Sequence, residues 1–329
     1  MTTDLRDLLS LEAAVCQAGM GGGISGAELA AAVANAGGLG TIGFVPVDAL
    51  DRELTHFRTL APDRSVAVNL LVPFARAAHV ELCIARGVRA VVLFGGHAPQ
   101  LARRLREAGI VVIHQIGTVE QARRAHAEGA QVLVVQGNEA GGHLLATEPV
   151  LAAVAAVRDA LPSLPLIAAG GIVTADHVRA TRAAGADGVL CGTRFLLTHE
   201  SRAHHAYKAR ALGAQRTLET MLFGLGWPMR HRVLPNAATE RWCRDDPRGP
   251  RWVRGLSALT TRLHRIVPGD PGALHRAQRL GIPLYTPVPP LEGDDDRLVE
   301  VSPLYAGTCA RDIMRLEAAA DIVRELSID

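Results

Sequence analysis

Short runs of hydrophobic residues, separated by amphipathic stretches, occupy the chain up to Thr198. The runs are rich in β-branched side chains and contain few polar positions, which is typical of strands buried on both faces of a parallel sheet. The stretches between them carry apolar residues at helical spacing. The eight runs lie at 14–17, 39–44, 66–72, 90–94, 110–115, 132–136, 166–170 and 188–192.

The amphipathic stretches also carry signals for the ends of helices. Ser25 and Thr118 are each followed three residues later by Glu or Gln, the pattern of a capping box that opens a helix. Glycines stand where a residue in the left-handed conformation would end a helix. These glycines are Gly37, Gly87, Gly109, Gly129 and Gly185.

Eight strand–helix repeats predict a closed (β/α)8 barrel, the TIM-barrel fold of the α/β class. The alternative is a doubly wound open sheet, which usually carries a glycine motif after its first strand. The segment 20–26 is rich in glycine, but it lacks the register of that motif and a clear acidic partner on the second strand. We therefore favour the barrel.

The pattern changes after Thr198. The segment 200–213 has the character of an eighth barrel helix, 236–255 is dense in Arg, Asp and Pro, 268–290 is rich in turn residues, and 308–326 is amphipathic. We expect a barrel domain over 1–213, a smaller, mostly helical cap or substrate domain over 214–300, and a C-terminal helix packing back on the barrel over 301–329.

The composition narrows the functional classes. The chain is 48% hydrophobic and 21% charged with a net charge of +2, so it gives no electrostatic case for nucleic acid or a membrane surface as its partner. No apolar run reaches the ~18 residues of a spanning helix, and the first ten residues lack the order of a signal peptide. We expect a cytoplasmic protein. Its five scattered cysteines predict neither a metal site nor a disulfide framework.

Amides stand at the carboxyl ends of several predicted strands, where barrels carry their active sites. Asn69, Gln115 and Gln136 lie within or directly after apolar runs, and amides in buried strands are costly unless they are paired. Each alone would be interpreted as a paired core amide. Three at one end of a barrel predict a polar ligand.

The seventh and eighth predicted strands end in Gly170-Gly171 and Gly192-Thr193. Barrels commonly bind phosphate with the loops after these two strands, because the backbone N–H groups of glycine loops point at the anion. The Thr193 hydroxyl adds a donor. These two loops therefore predict a phosphate-bearing ligand.

The segment 132–143 joins a buried strand to a loop that carries chemistry, with the sequence V-L-V-V-Q-G-N-E-A-G-G-H. Its glycines permit the close approach of a ligand, and His143 supplies an imidazole that titrates near neutral pH. A plain turn with a surface or helix-capping histidine is the alternative interpretation of an isolated Gly-Gly-His.

Six motifs in order resemble those of the nitronate monooxygenase family, formerly called 2-nitropropane dioxygenase, which also includes FMN-dependent enoyl-ACP reductases. The resemblance covers the barrel from Leu11 to Thr198 and continues weakly beyond it. The motifs are Q-A-G-M at 17–20, A-A-A-V-A-N-A-G-G-L-G at 30–40, V-N-L at 68–70, Q-G-N-E-A-G-G-H at 136–143, A-A-G-G-I at 168–172 and G-T-R-F at 192–195.

The resemblance implies one FMN per chain, bound across the mouth of the barrel. Asn69, Gln136 and Gly141 match residues that contact the flavin or its ribityl chain, and Met20 would lie near the ring. His143 matches the catalytic histidine of the family. The residues that would hold the phosphate end are Gly171, Leu190, Cys191, Gly192 and Thr193.

The family activity that follows from this resemblance is oxidation of alkyl nitronates or nitroalkanes by O2 to a carbonyl compound and nitrite. His143 would act as the base or bind the anion. An FMN-dependent NAD(P)H enoyl or quinone reductase is the alternative, and a barrel that binds a phosphorylated ligand without redox turnover is a third. Gly19, where nitronate-oxidising relatives often have proline, and Leu144-Leu145 leave the substrate open. The expected partners are a small molecule and O2, with a homo-oligomer left open.

Overall fold

A computed structural model describes residues 4–263 and 271–328. The chain forms two compact units, of which the first comprises Met1–Glu139, Leu145–Ser201 and Leu316–Asp329. The second comprises Ala140–Leu144 and Arg202–Arg315. These bounds differ from the three segments expected from sequence, whose division into domains stays a prediction. Residues 268–270 of the turn-rich stretch lie outside the described residues.

The strands of the described residues are short. They are β1 (Val15–Gln17), β2 (Gly40–Ile42), β3 (Val66–Leu71), β4 (Ala90–Phe94), β5 (Val111–Ile116), β6 (Val132–Gln136), β7 (Gly142–His143), β8 (Leu166–Ala169), β9 (Gly188–Cys191), β10 (Leu218–Thr220) and β11 (His231–Val233).

The α-helices alternate with the strands up to Leu196, except that β7 follows β6 directly. They are α1 (Leu5–Leu9), α2 (Ala27–Asn35), α3 (Val47–Leu60), α4 (Ala77–Ala85), α5 (Pro99–Glu107), α6 (Val119–Ala127), α7 (Val150–Ala160), α8 (Ala175–Ala183), α9 (Thr193–Leu196), α10 (His205–Ala211), α11 (Ala237–Trp242), α12 (Arg251–Leu263), α13 (Pro271–Arg276) and α14 (Ala319–Leu326). Two 3₁₀ helices span Asp296–Glu300 and Thr308–Asp312.

The first unit is an eight-stranded parallel barrel. Its strands follow the order β1-β9-β8-β6-β5-β4-β3-β2, and a parallel bridge from Cys16 to Leu39 joins β1 to the start of β2. This arrangement confirms the predicted (β/α)8 barrel rather than the open sheet. All eight predicted strands are present, because uninterrupted apolar runs are what a sheet covered on both faces requires.

The helix ends agree with the sequence signals at all but one place. All five predicted end glycines have positive φ, between 59° and 107°. The Thr118 side chain caps α6 by accepting the N–H of Gln121. The Ser25 capping box is wrong, since Gly26 is the N-cap of α2 and the Ser25 hydroxyl bonds the backbone of Met20 instead.

Alternation along the barrel strands separates an inner face from an outer layer. Ala67 of β3, Val134 of β6 and Leu190 of β9 belong to the inner cluster, which also contains Leu5 and Leu9 of α1. The intervening strand residues pack against the surrounding helices in two further clusters. Asn69, Gln115 and Gln136 each lie two residues after a residue of the inner cluster, so this alternation places them on the inner face as well.

The last helix of the chain completes the helical layer of the barrel. The predicted helix over 308–326 is instead a short 3₁₀ helix followed by α14, and α14 contacts α2, α8 and α9. Its residues Ala319, Ile322, Val323 and Leu326 are buried in the barrel's outer cluster. The expectation that 200–213 forms the eighth barrel helix is wrong, because α10 belongs to the second unit.

The second unit contains an antiparallel sheet, β10-β11-β7, that the sequence did not predict. Its strands are two or three residues long, and its apolar core is built around Phe223, Val233 and Tyr285. Among the residues that the structure describes, no helix has the length and apolar character needed to cross a membrane.

Candidate active site

The carboxyl end of the barrel gathers the amides and glycines that the sequence singled out. Asn69 is the polar residue of β3, Gln136 is the last residue of β6, and Gly171 and Gly192 follow β8 and β9. Side chains alternate along a strand, and each of the four positions lies two residues after a residue of the inner cluster. All four positions are therefore on the inner side of the barrel. The Cys191 side chain, by the same alternation, packs in the outer cluster.

Two buried polar atoms at this end accept no hydrogen bond. Asn69 Oδ1 and Thr41 Oγ1 are buried and have no hydrogen-bond partner among the described residues. The Asn69 amide is fixed in orientation, because its Nδ2 donates to the Gly19 carbonyl over 3.0 Å. A buried acceptor without a donor is costly, so this end of the barrel is built to receive a ligand that carries hydrogen-bond donors.

The backbone at Gly19 lies directly against Asn69. A Cβ at Gly19 would stand 2.4 Å from Asn69 Cβ and 3.0 Å from Thr41 Cγ2, distances that side chains do not tolerate. Met20 follows, and its N–H donates to the Ser25 hydroxyl over 2.8 Å. The first strand's end is therefore held by backbone and side-chain contacts on both sides.

The loop after β6 is tied together at its base. Gln136 Oε1 accepts the Leu145 N–H over 2.7 Å, and Asn138 Nδ2 donates to the Thr147 carbonyl over 2.8 Å. The Glu139 carboxylate accepts the N–H of Val150, the first residue of α7. Glu139 thus satisfies an N–H that a helix start leaves unpaired, and its role in the described residues is structural.

The glycine loop after β8 has the conformation expected of an anion cradle. Gly170 and Gly171 have φ of 120° and 73°, which side chains rarely adopt, and a Cβ at Gly171 would lie 3.2 Å from Glu139 Cβ. Thr193 is buried directly after Gly192. Backbone N–H groups are therefore available here without the obstruction of side chains.

Arg194 anchors the loop after β9 from behind. Its guanidinium is 5% exposed and pairs with Glu317 and, over 2.8 Å, with Glu325 of α14. Glu200 caps the same helix by accepting the Ala319 N–H over 3.1 Å. The segment 316–328 is therefore fastened to the residues that follow Thr193.

His143 lies in the second unit, inside a group of aromatic rings. In the register of the antiparallel pair β7–β11, His143 stands directly opposite His231. The Trp227 ring stacks on the imidazole with centroids 4.0 Å apart, and the His231 and Tyr305 rings lie at 5.4 and 5.5 Å. Burial and the neighbouring His231 hold the pKa of His143 well below its usual value. The imidazole is consequently neutral at pH 7 and able to accept a proton.

Gly141 also belongs to the second unit, where it meets another backbone segment. A Cβ at this position would stand 2.5 Å from both the carbonyl carbon of Ala306 and the nitrogen of Gly307. Any side chain at Gly141 would therefore displace the segment that carries Tyr305. Gly141 shapes the enclosure of His143 through this close approach.

A second group of histidines in this unit is better explained by structure than by metal binding. His204, His205 and Asp296 have ligand atoms close enough to hold an ion. However, His204 Nδ1 accepts the Ala206 N–H, so the neutral ring carries its proton on Nε2, which faces the Asp294 carbonyl at 3.2 Å. A nitrogen that donates a proton cannot also bind a metal ion.

The predicted site residues thus divide between the units. Met20, Asn69, Gln136, Gly171, Gly192 and Thr193 stand at the carboxyl end of the barrel, with Leu190 and Cys191 in β9, whereas Gly141 and His143 lie in the second unit. The sequence missed Trp227 and His231 as neighbours of His143. His231 stands between two arginines, a pattern that indicates a surface strand.

Comparison with known proteins places this geometry in context. The sequence profile of a family described as nitronate monooxygenase matches residues 2–246. A (3aS,4S,5R,7aS)-5-hydroxy-7a-methyl-1-oxo-octahydro-1H-indene-4-carboxyl-CoA dehydrogenase of Mycobacterium tuberculosis is 39% identical over 73% of this chain and 68% of that protein. The protein of the same name from Rhodococcus jostii is 36% identical over 71% of this chain and 66% of its own length. A probable nitronate monooxygenase of Staphylococcus saprophyticus is 31% identical over 68% of this chain and 75% of that protein.

Solved structures resemble the chain over nearly its whole length. Nitroalkane oxidase from Streptomyces ansochromogenes is 27% identical with a TM-score of 0.76, covering 98% of this chain and 96% of that one. FabK from Thermotoga maritima is 25% identical with a TM-score of 0.76, covering 99% and 95%. The chain spans about two thirds of the length of the two CoA dehydrogenases that it matches.

Proposed function

Because the chain belongs to the nitronate monooxygenase family, we propose that it is an FMN-dependent enzyme that oxidises alkyl nitronates or nitroalkanes with O2 to a carbonyl compound and nitrite. The chain is an oxidoreductase, as its family and relatives are. The observation that carries the specific proposal is the enclosed, neutral imidazole of His143. Such a base suits the removal of a proton from carbon.

The residues at the barrel end fit FMN. The buried Asn69 Oδ1 and Thr41 Oγ1 would accept hydrogen bonds from a polar heterocycle, and the glycine loops ending in Gly171 and Gly192 would hold its phosphate. Thr193 would add a hydroxyl donor. Met20, Gln136, Gly141 and Leu190 complete the proposed FMN contacts, together with the backbone of Cys191, whose side chain packs in the outer cluster. Bound FMN would supply the electron acceptor for the oxidation.

His143 would take the proton from the carbon next to the nitro group of a neutral nitroalkane. Its low pKa keeps the imidazole unprotonated at neutral pH, so the nitrogen lone pair is available. The stacked Trp227 ring shields the imidazole from water and fixes the plane in which it can meet a substrate. A substrate that is already an anionic nitronate needs no base, and His143 would then only orient it.

A dehydrogenase acting on a CoA thioester is the second candidate. The relatives that favour it are 39% and 36% identical, against 31% for the probable nitronate monooxygenase of Staphylococcus saprophyticus. The carbon next to a thioester is also acidified by its neighbour, so the same neutral base and electron acceptor would serve. The two candidates therefore share His143 and FMN and differ in the substrate.

The test is an anaerobic titration of the purified, FMN-loaded protein, followed by its visible spectrum. Separate samples receive an alkyl nitronate, a neutral nitroalkane, a saturated acyl-CoA, and NADH or NADPH. We expect bleaching by the nitronate and the nitroalkane, and nitrite after air is admitted. Bleaching by the acyl-CoA alone would favour the dehydrogenase, and rapid bleaching by the nicotinamide alone would favour an enoyl or quinone reductase.

The His143→Asn variant separates the role of the base from that of the cofactor. Loss of a general base is expected to slow the oxidation of the neutral nitroalkane by about 10²-fold or more and that of the nitronate far less. His205→Asn, at an exposed position of the same unit, is the matched control. Equal rates for His143→Asn and the wild type on both substrates would refute the role of His143.

A further inference from the structure

The central strand of the second unit's sheet carries a histidine that the proposed chemistry does not yet use. His231 lies on β11, directly opposite His143 on one side and Thr220 on the other. It is fully buried. Its ring meets that of His143 at an interplanar angle of 61°, with the centroids 5.4 Å apart.

The tautomer of neutral His231 is set by the backbone. Its Nδ1 lies 3.0 Å from the Met229 carbonyl oxygen, which only accepts, so Nδ1 carries the proton. Nε2 is then a lone-pair acceptor. It is buried and has no hydrogen-bond partner within the described residues. A buried acceptor in this state calls for a donor that arrives during function.

The neighbours of His231 do not provide this donor. The Thr220 hydroxyl is engaged with Cys243 Sγ and the Leu222 N–H. The Tyr305 hydroxyl donates to the Pro287 carbonyl over 3.0 Å. Phe223 offers only its ring.

The charged groups nearest in sequence lie on the opposite face of this sheet. Arg232 and Glu219 pair there over 2.6 Å, and Arg230 pairs with the same carboxylate. On the face of His231, the titratable neighbours are His143, Tyr305 and, beyond Phe223, Tyr285. His143 is therefore the neighbour that can become a strong donor, because it gains an N–H when it takes a proton.

We propose that His231 is a positioning residue for His143, whose imidazolium donates an N–H to Nε2 of His231 once the substrate's proton has been taken. This inference rests on the proposed role of His143 as a base. The C–H bond of the substrate breaks, its proton forms an N–H bond on His143, and the electron pair stays with the substrate. The resulting imidazolium donates to a ring whose own Nδ1 proton is held by Met229.

The experiment compares His231→Phe, which removes the acceptor, with His231→Gln, whose amide oxygen restores one. For a neutral nitroalkane we expect kcat to fall about tenfold to hundredfold in His231→Phe, the range for a lost hydrogen bond to a charged group, with KM little changed. The acidic limb of the pH profile should move to higher pH, because the charge of His231 no longer lowers the pKa of His143. His231→Gln should recover most of kcat while keeping the shifted limb.

A second readout does not depend on turnover. With ¹³C-labelled histidine in the FMN-loaded protein, the His143 ring signal is assigned by its loss in His143→Asn and titrated by NMR. We expect its pKa to rise in both His231→Phe and His231→Gln, because neither variant keeps the His231 charge that lowers it. An unchanged His143 titration in His231→Phe would overturn the proposal, as would a loss of kcat in Phe and Gln alike. If His231→Phe does not fold, the Gln variant and the wild-type titration decide.

The two proposals fail in distinguishable ways. If the wild-type protein oxidises no nitroalkane, the proposed function is wrong, while the NMR titration still tests the contact between the histidines. His205→Gln controls for the loss of one histidine from the same unit.

Discussion

As the pH falls from about 6.5 to about 4, the second unit is expected to lose stability because it buries neutral histidines. Burial lowers the pKa of His231 from 6.5 to about 4. In the unfolded chain the imidazole has its ordinary pKa and binds a proton as the pH falls below about 6.5, whereas the folded protein binds it only near 4. Stability contributed by the neutral ring is thus fully present above about pH 6.5 and is lost between there and pH 4.

The size of this effect follows from the shift. A difference of about 2.5 pKa units corresponds to about 3 kcal/mol of unfolding free energy at 1.36 kcal/mol per unit. His143 acts in the same direction, because its pKa is also lowered by burial. The wild-type protein should therefore lose at least about 3 kcal/mol from this source across the window.

Urea titrations followed by tryptophan fluorescence measure the loss. The three tryptophans of the chain, Trp227, Trp242 and Trp252, all lie in the second unit, so their emission reports the unfolding of that unit. The free energy of unfolding is compared at about pH 7 and about pH 4.5 for the wild type, His231→Phe and the exposed-site control His205→Phe. The slope with pH should be shallower in His231→Phe only. Equal slopes for His231→Phe and the wild type would refute the reasoning.

Two further outcomes are expected for the barrel. Arg194→Met should lower the unfolding free energy by about 3 kcal/mol in urea titrations followed by circular dichroism, because it leaves Glu317 without its buried partner; an unchanged midpoint would contradict the anchor. Gly19→Ala should weaken FMN binding about tenfold or more in a flavin-fluorescence titration of the apoprotein, since its Cβ would stand 2.4 Å from Asn69 Cβ. Gly21→Ala is the matched control because its nearest contact is an ordinary 3.6 Å, and equal FMN affinity in both variants would show that Asn69 need not move.

The barrel was predictable because its strands are uninterrupted apolar runs and its helices end at glycines. Both signals are local, and neither depends on distant parts of the chain. The Ser25 cap was wrong for a reason that spacing does not reveal, since the Met20 backbone uses that hydroxyl. The helix expected to complete the barrel from 200–213 was also wrong, because the position is filled from the far end of the chain by α14.

In the second unit, the strands and the burial of His231 could not be predicted from sequence patterns. Strands of two or three residues are too short to display alternation, so β7, β10 and β11 left no signal. His231 stands between arginines that suggest exposure, yet pairing with β7 and β10 buries it completely. His143 was predicted as a site residue from its motif, which stays a prediction, whereas the rings around it come from parts of the chain that only the fold brings together.

The contact of α14 with α2 has a consequence for the folding of the protein during its synthesis. A ribosome releases α2 early, but the helix that covers it becomes available only after residues 202–315 have been made. Until then, the nascent barrel lacks the helix that packs against α2, α8 and α9. Such a gap is a natural site for chaperones and for aggregation, and it makes the synthesis of α14 the step that completes the helical layer of the barrel.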